Sequence, residues 1–174
     1  VLPPETGSPK LNEHYDMIDA QLTTEIFGLF APTRPDIALN IAELPIQTTA
    51  RQEAEDISKF YVSMYSLVYA TNSNSSMKEK MLWMSSKSRE ILPNDSYPAK
   101  MYDYTRLLYE TGIPWEQTRD SLYYRYQVNQ KDGYNITSRN LYCNGCFAAG
   151  INFAASLVSL FFGEGDLKET IKIG

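Results

Sequence analysis

Cys143-Asn144-Gly145-Cys146 is the one place in this sequence where two reactive thiols stand close together. A C-x-x-C pair supports thiol–disulfide exchange when a strand leads into it and a helix begins at the first cysteine, lowering that thiol's pKa. No strand pattern lies upstream, and two thiols alone cannot complete a structural zinc site. Cys143 and Cys146 therefore read as a local structural disulfide or as a pair of free thiols. The only histidine is His14, so a Ser-His-Asp triad would depend on that one residue, and a metal cluster of histidines is impossible. There is no P-loop, no dinucleotide glycine fingerprint and no H-E-x-x-H. Aspartates and glutamates occur singly along helical stretches, the pattern of a solvated face.

Three N-glycosylation sequons are present, at Asn74-Ser75-Ser76, Asn94-Asp95-Ser96 and Asn135-Ile136-Thr137. Chance alone would give roughly one or two. All three fall in loop-like surroundings, so the excess points to the secretory pathway, with the cytoplasm as the alternative. The chain opens "VLPPETGSP" without Met, as a processed chain would, and shows no signal peptide.

The elements that would position such residues are helical. With 43% hydrophobic and 13% aromatic residues the chain of 174 is too apolar for a disordered segment and of a size for one domain. No apolar run reaches about 18 residues, so no membrane span is expected. The formal charge is −5 and the 16 basic residues are scattered without a stripe, which argues against a nucleic-acid partner.

Residues 1–15 read as an extended N-terminal arm, and 16–174 as part of a single all-α domain. From Asp16 to Phe30, Ile18, Leu22, Ile26 and Leu29 fall at helical spacing. A second helix follows, with Thr33 as cap, Pro35 in its first turn, Asp36 completing a capping-box-like start, and Pro45 bending or ending it. "EAEDISKFYVSMYSLVYA" is the strongest amphipathic segment, with Ile57, Phe60, Tyr61, Met64, Tyr65 and Val68 on one face. Further helices are expected over Met77–Arg89, Ala99–Glu110 and from Pro114 to about Gln127. After the polar loop "NQKDGYNITSRN", the segment Ala148–Phe162 is apolar nearly all round and should be central, with Gly163 as its C-cap. Asp166, with Glu169 three residues on, should cap a last helix whose Leu167, Ile171 and Ile173 pack under the domain. No alternating strand pattern occurs, and there is no internal repeat.

Two stretches carry more than composition. "IDAQLTTEIFGLFAPTRPDIALNIAEL" (Ile18–Leu44) resembles a segment of the ADP-ribosylglycohydrolase superfamily that reads I-G-A-Q-I, an acidic residue, F-G, a turn, and a helix rich in Ala, Glu and Leu. "INFAASLVSLFFGEGDLKETIKIG" (Ile151–Gly174) is similar to that family's late helix, N-x-A…L-x-Y-G-E-G-D-F…T-I. The helix opening at Pro114-Trp115 sits where the family has a Trp-led helix. The resemblance implies an all-α orthogonal helical bundle of the ADP-ribosylglycohydrolase type. It also implies hydrolysis of a glycosidic or related bond to an ADP-ribosyl-like substrate, assisted by Mg2+. The family's metal ligands come from an early D-D-T-like motif and a late G-x-D-x-D motif, and neither occurs here. Mg2+ would then be bound mainly by residues outside this chain. The chain itself would be a subunit or fragment completed by flanking polypeptide, joined to at least one other chain from the same precursor. Carried over by position, Gln21 and Glu25 match the family's cleft segment and Asn152 the Asn of its late helix, which makes them the ligand-binding candidates. The catalytic residues are not identified. In two places the family's histidines are replaced, by "QTTARQEAED" and by "CNGCFAAG". A catalytically silent or repurposed secreted binding or structural protein of the same fold would show the same changes.

Overall fold

Glu53–Leu67, the segment with the strongest amphipathic pattern, forms the helix on which the rest of the chain is laid. A computed structural model describes residues 2–135 and 145–174. Among these residues there are eight α-helices and no strand, so the fold is all-α. In chain order the helices are α1 (Thr24–Phe30), α2 (Pro35–Gln47), α3 (Glu53–Leu67), α4 (Met77–Arg89), α5 (Tyr97–Glu110), α6 (Trp115–Leu122), α7 (Ala149–Gly163) and α8 (Leu167–Ile173).

Two helices are central. α1, α2 and α4 pack around α3; α5, α6 and α8 pack around α7; and α3 meets α7 in the middle. Their meeting is made by rings: Phe60 and Phe153 stand edge to face with centroids 5.1 Å apart, and Tyr61 meets the same Phe153 ring at 6.0 Å. Such edge contacts contribute beyond area burial because each ring's positive edge meets a negative face. Tyr102 and Tyr109 of α5 extend the cluster to Phe161. As the periodicity requires, Ile57, Phe60, Phe153, Leu157 and Phe161 are all but fully buried.

Elsewhere the helices approach through small residues. Gly28 of α1 lies against Val62, Tyr65 and Ser66 of α3. Ser88 of α4 donates to Ser63 of α3 at 3.0 Å, and Ser85 shares a 3.0 Å hydrogen bond with Tyr102 of α5. All three serines are buried. Residues 2–15 are tied to the end of α2 and the turn after it: Arg51 donates to the Pro4 carbonyl at 2.8 Å, and Asn12 to that of Thr49 at 3.0 Å.

Several local expectations are corrected. The helix expected from Asp16 begins as a 3-10 segment, Ile18–Thr23, and becomes α-helical only at Thr24. Thr33 does not cap α2: its φ is +64°, its N–H goes to the Ser66 carbonyl at 2.8 Å, and Arg34 holds the cap position. Pro45 does not end α2, which continues to Gln47; Pro45 and Ile41 are exposed, so water can take the carbonyl that proline leaves without a donor. The segment after Leu122 changes its hydrogen bonding, running as a π-helix from Tyr123 to Val128. α7 includes Gly163, and the left-handed turn is made by Glu164 (φ +48°) and Gly165 (φ +84°). Asp166 caps α8 as expected, accepting from Lys168 N–H at 2.8 Å and Glu169 N–H at 3.0 Å. Yet Leu167 and Ile171 are 73% and 69% exposed, and only Ile173 reaches the core. Thr170 takes the inward position instead because Gly163 lets its backbone come close.

Candidate functional site

Between α3, α7 and α8 lies an apolar cleft of about 570 Å³. Tyr61, Met64 and Tyr65 form one wall, Leu157 and Leu160 the floor, and Thr170 and Ile171 the rim given by α8. The cleft exists because the Glu164–Gly165 turn folds α8 back on α7. That corner is fastened by the Glu164 carboxylate, which accepts from Lys78 and from the Tyr109 hydroxyl, each at 2.7 Å. Those two donors hold Glu164 below the usual carboxylate range.

Asn152 lines the cleft. Its Nδ2 donates to the carbonyls of Cys146 at 2.6 Å and Ala148 at 2.9 Å, closing the turn that leads into α7. With both amide hydrogens so used, the side-chain oxygen is what Asn152 can offer a ligand. Gln21 reaches the same turn from the other chain segment, donating to the Ala149 carbonyl at 3.4 Å. Next to it Ile18 N–H donates to Phe147 O and Ala149 N–H to Asp16 O, at 3.0 and 2.9 Å. Glu25 does not line the cleft itself but stands beside Tyr65, which does. Burial raises the Tyr65 hydroxyl pKa, and the Glu25 carboxylate adds to the rise. Tyr61 is raised more strongly by burial, which the neighbouring Ser156 partly offsets. Both phenols are therefore neutral donors at ordinary pH.

The structure thus brings Gln21, Glu25 and Asn152 around the first turn of α7 and the Tyr65 side of the cleft. Tyr61, Tyr65, Ser156 and Thr170 are not among the sequence candidates. A signal for them exists: Asn152, Ser156 and Ser159, spaced by four and three, are one polar line on the otherwise apolar α7. Among the described residues no group of three His, Cys, Asp or Glu side chains is placed to hold a metal. The donors present do not fit Mg2+, which asks for several oxygen ligands together.

The sequon asparagines are exposed. Asn74 lies in the loop before α4, Asn94 in the loop before α5, and Asn135 at the edge of the described segment, with Ile136 and Thr137 outside it. Asn94 also accepts from Arg89 at 3.2 Å. Cys146 is disulfide-bonded, whereas Cys143 lies outside the described residues. Among the described residues no helix is long and apolar enough to cross a membrane. No known protein family, no curated protein and no solved structure matches the chain.

Proposed function

We propose that this chain is part of a hydrolase resembling the ADP-ribosylglycohydrolases, acting on a glycosidic or related bond, with the orthogonal bundle of that superfamily. One observation carries the reading. The residues singled out by resemblance come from segments about 130 positions apart: Asn152 lines the cleft, Gln21 donates to the first turn of the helix that carries Asn152, and Glu25 stands beside Tyr65 of the cleft wall. In this reading the walls exclude water from a bound substrate, and the Asn152 oxygen accepts from it. Mg2+ would polarise the scissile bond. Its ligands would come from polypeptide other than these residues, in a complex with other chains of the same precursor.

The test is release of ADP-ribose from ADP-ribosylated peptides by the complete complex, with Mg2+ and with chelator. Activity that needs Mg2+ and falls at least about tenfold in Asn152→Ala agrees with the reading. No release from any ADP-ribosyl linkage, in a folded complex that contains the flanking polypeptide, would defeat it. A second reading is a catalytically silent, secreted binding protein. It is favoured by the apolar lining of the cleft, to which Phe60, Met64, Val68, Leu157, Leu160 and Ile171 contribute. Ligand binding by calorimetry without turnover would select it.

A further inference from the structure

α1 and α2 lie side by side on α3, and each turns a row of large apolar side chains away from it. On α1, Ile26, Leu29 and Phe30 are 50%, 51% and 69% exposed, at helical spacing along one face, and Leu22 of the 3-10 turn before it is 66% exposed. On α2, Ile37, Ile41 and Leu44 repeat the pattern at 39%, 45% and 55%. The rows adjoin. Glu43 lies 3.7 Å from Lys59 of α3 and Gln47 donates to Glu55 at 2.8 Å, so these polar residues occupy the flank of α2 away from α1. The apolar row occupies the other flank, beside α1. Together they expose on the order of several hundred Å² of apolar surface, the size at which a patch marks an interaction site.

Acids border the band on both edges. Glu25 flanks the α1 row, and Asp36 and Glu43 flank the α2 row. Residues 16–47 contain five acidic side chains, Asp16, Asp19, Glu25, Asp36 and Glu43, and one base, Arg34. That is a net charge of −4, most of the −5 carried by the whole chain. Arg34 spends both guanidinium contacts on Asp36, at 2.9 and 2.7 Å. Glu25 and Asp19 have no cation beside them among the described residues.

We propose that this band docks one amphipathic helix of a partner polypeptide, whose apolar face is flanked by lysines or arginines. Two adjacent helices present a groove that a third helix fills with side chains at i, i+3, i+4 and i+7. Asp36 and Glu43 already have Arg34 and Lys59 beside them, so the pairing falls to Glu25 and the net negative charge of the region favours basic flanks on the partner. A second copy of this chain is a poorer occupant, because it would set the same acids against each other. The site is separate from the α3–α7–α8 cleft and holds whether or not the hydrolase reading does.

Anisotropy of two labelled synthetic helical peptides tests it. Both carry the same leucine face; one has lysine flanks and the other glutamate flanks. The lysine peptide is expected to bind at least about tenfold more tightly, with the advantage shrinking as salt rises. The double change Ile26→Ser/Ile41→Ser should remove binding while circular dichroism stays helical. Leu167→Ser, on the exposed face of α8 and outside the cleft lining, should leave binding unchanged. If the first pair loses helicity, Phe30→Ala gives the same readout from a residue that is mostly solvated. Equal affinity for the two peptides, binding by neither, or equal loss in the α8 variant overturns the proposal. So does sedimentation showing a dimer that Phe30→Ala dissolves.

Discussion

Replacing Gly28 by alanine tests the closest helix contact that holds the cleft wall in place. A Cβ at Gly28 would lie 2.8 Å from the Ser66 nitrogen and 2.8 Å from the Val62 carbonyl oxygen, and closer still to the Tyr65 Cβ. These neighbours are backbone or backbone-attached atoms, so they cannot swing aside as a side-chain tip would. Carbon atoms rest about 3.5–4.0 Å apart, so α1 must lift from α3 by roughly 1 Å. Lifting also strains two bonds across the same contact, Ser66 Oγ–H to the Ala31 carbonyl and Thr33 N–H to the Ser66 carbonyl. Overpacking of this kind costs about 1–3 kcal/mol, and the strained bonds add about 1 kcal/mol. Alanine's better helix propensity returns about 1 kcal/mol. The net expectation is a loss of about 1–3 kcal/mol, read as a lower urea midpoint with unchanged slope in far-UV circular dichroism. Gly112→Ala is the contrast: its φ is +75° and nothing lies within 4 Å, so it should lose only about 1 kcal/mol through backbone strain. Equal or greater stability in Gly28→Ala would refute the close α1–α3 approach, and with it the placement of Glu25 on Tyr65.

Burial pushes the Asp56 carboxyl up to about 6, with Glu55 and Glu53 adding and Lys59 opposing. The folded state therefore resists its ionisation: no penalty exists below about pH 4, it grows between about pH 4 and 6, and it is complete above. Asp56→Asn should stabilise by about 1 kcal/mol at pH 7.5, after discounting for solvent screening, and by nothing near pH 3.5, as read from denaturant midpoints at the two pH values. Phe153→Ala removes the ring shared by Phe60 and Tyr61 and should cost about 3–5 kcal/mol; a thermal midpoint within a few degrees of wild type would contradict the central α3–α7 contact. Ser76→Ala dissolves the capping box in which Ser76 Oγ accepts Glu79 N–H at 3.2 Å and Ser76 N–H donates to Glu79 at 2.7 Å, an expected loss of about 1 kcal/mol by chemical denaturation. Passage through a eukaryotic secretory pathway should leave glycans at Asn74, Asn94 or Asn135, seen as sugar mass removable by endoglycosidase, and three bare asparagines in protein from its native source would count against secretion.

Helix identity is legible wherever apolar spacing and a local signal agree. α3 follows from Ile57, Phe60 and Met64 repeating on one face, and α8 from Asp166 beside Glu169, because both signals act within a turn or two. What cannot be read depends on partners distant in sequence. Thr33 has a cap's side chain, yet its backbone is taken by Ser66, more than thirty residues on. Leu167 and Ile171 have core-forming side chains, yet the close approach at Gly163 turns Thr170 inward and leaves them outside. Resemblance singles out Gln21, Glu25 and Asn152, while the backbone carbonyls that Gln21 and Asn152 use emerge only from the packing. Tyr61 and Tyr65 are visible as an apolar face, but a periodic face does not say whether a ring meets another helix or a cleft.

The serines between α3, α4 and α5 bear on which alignment these helices can adopt at all. Leucine-on-leucine contacts tolerate a slide of one turn, since any apolar neighbour replaces another. Ser63 with Ser88 and Ser85 with Tyr102 do not. A shifted α4 would bury their hydroxyls without partners, at about 1–3 kcal/mol for each. The bonds themselves add little to the stability of the correct pairing, so their effect is discrimination: they penalise neighbouring registers and leave α3 a single orientation. The tyrosines that α3 turns toward α7 inherit that orientation from hydroxyl groups on its opposite side.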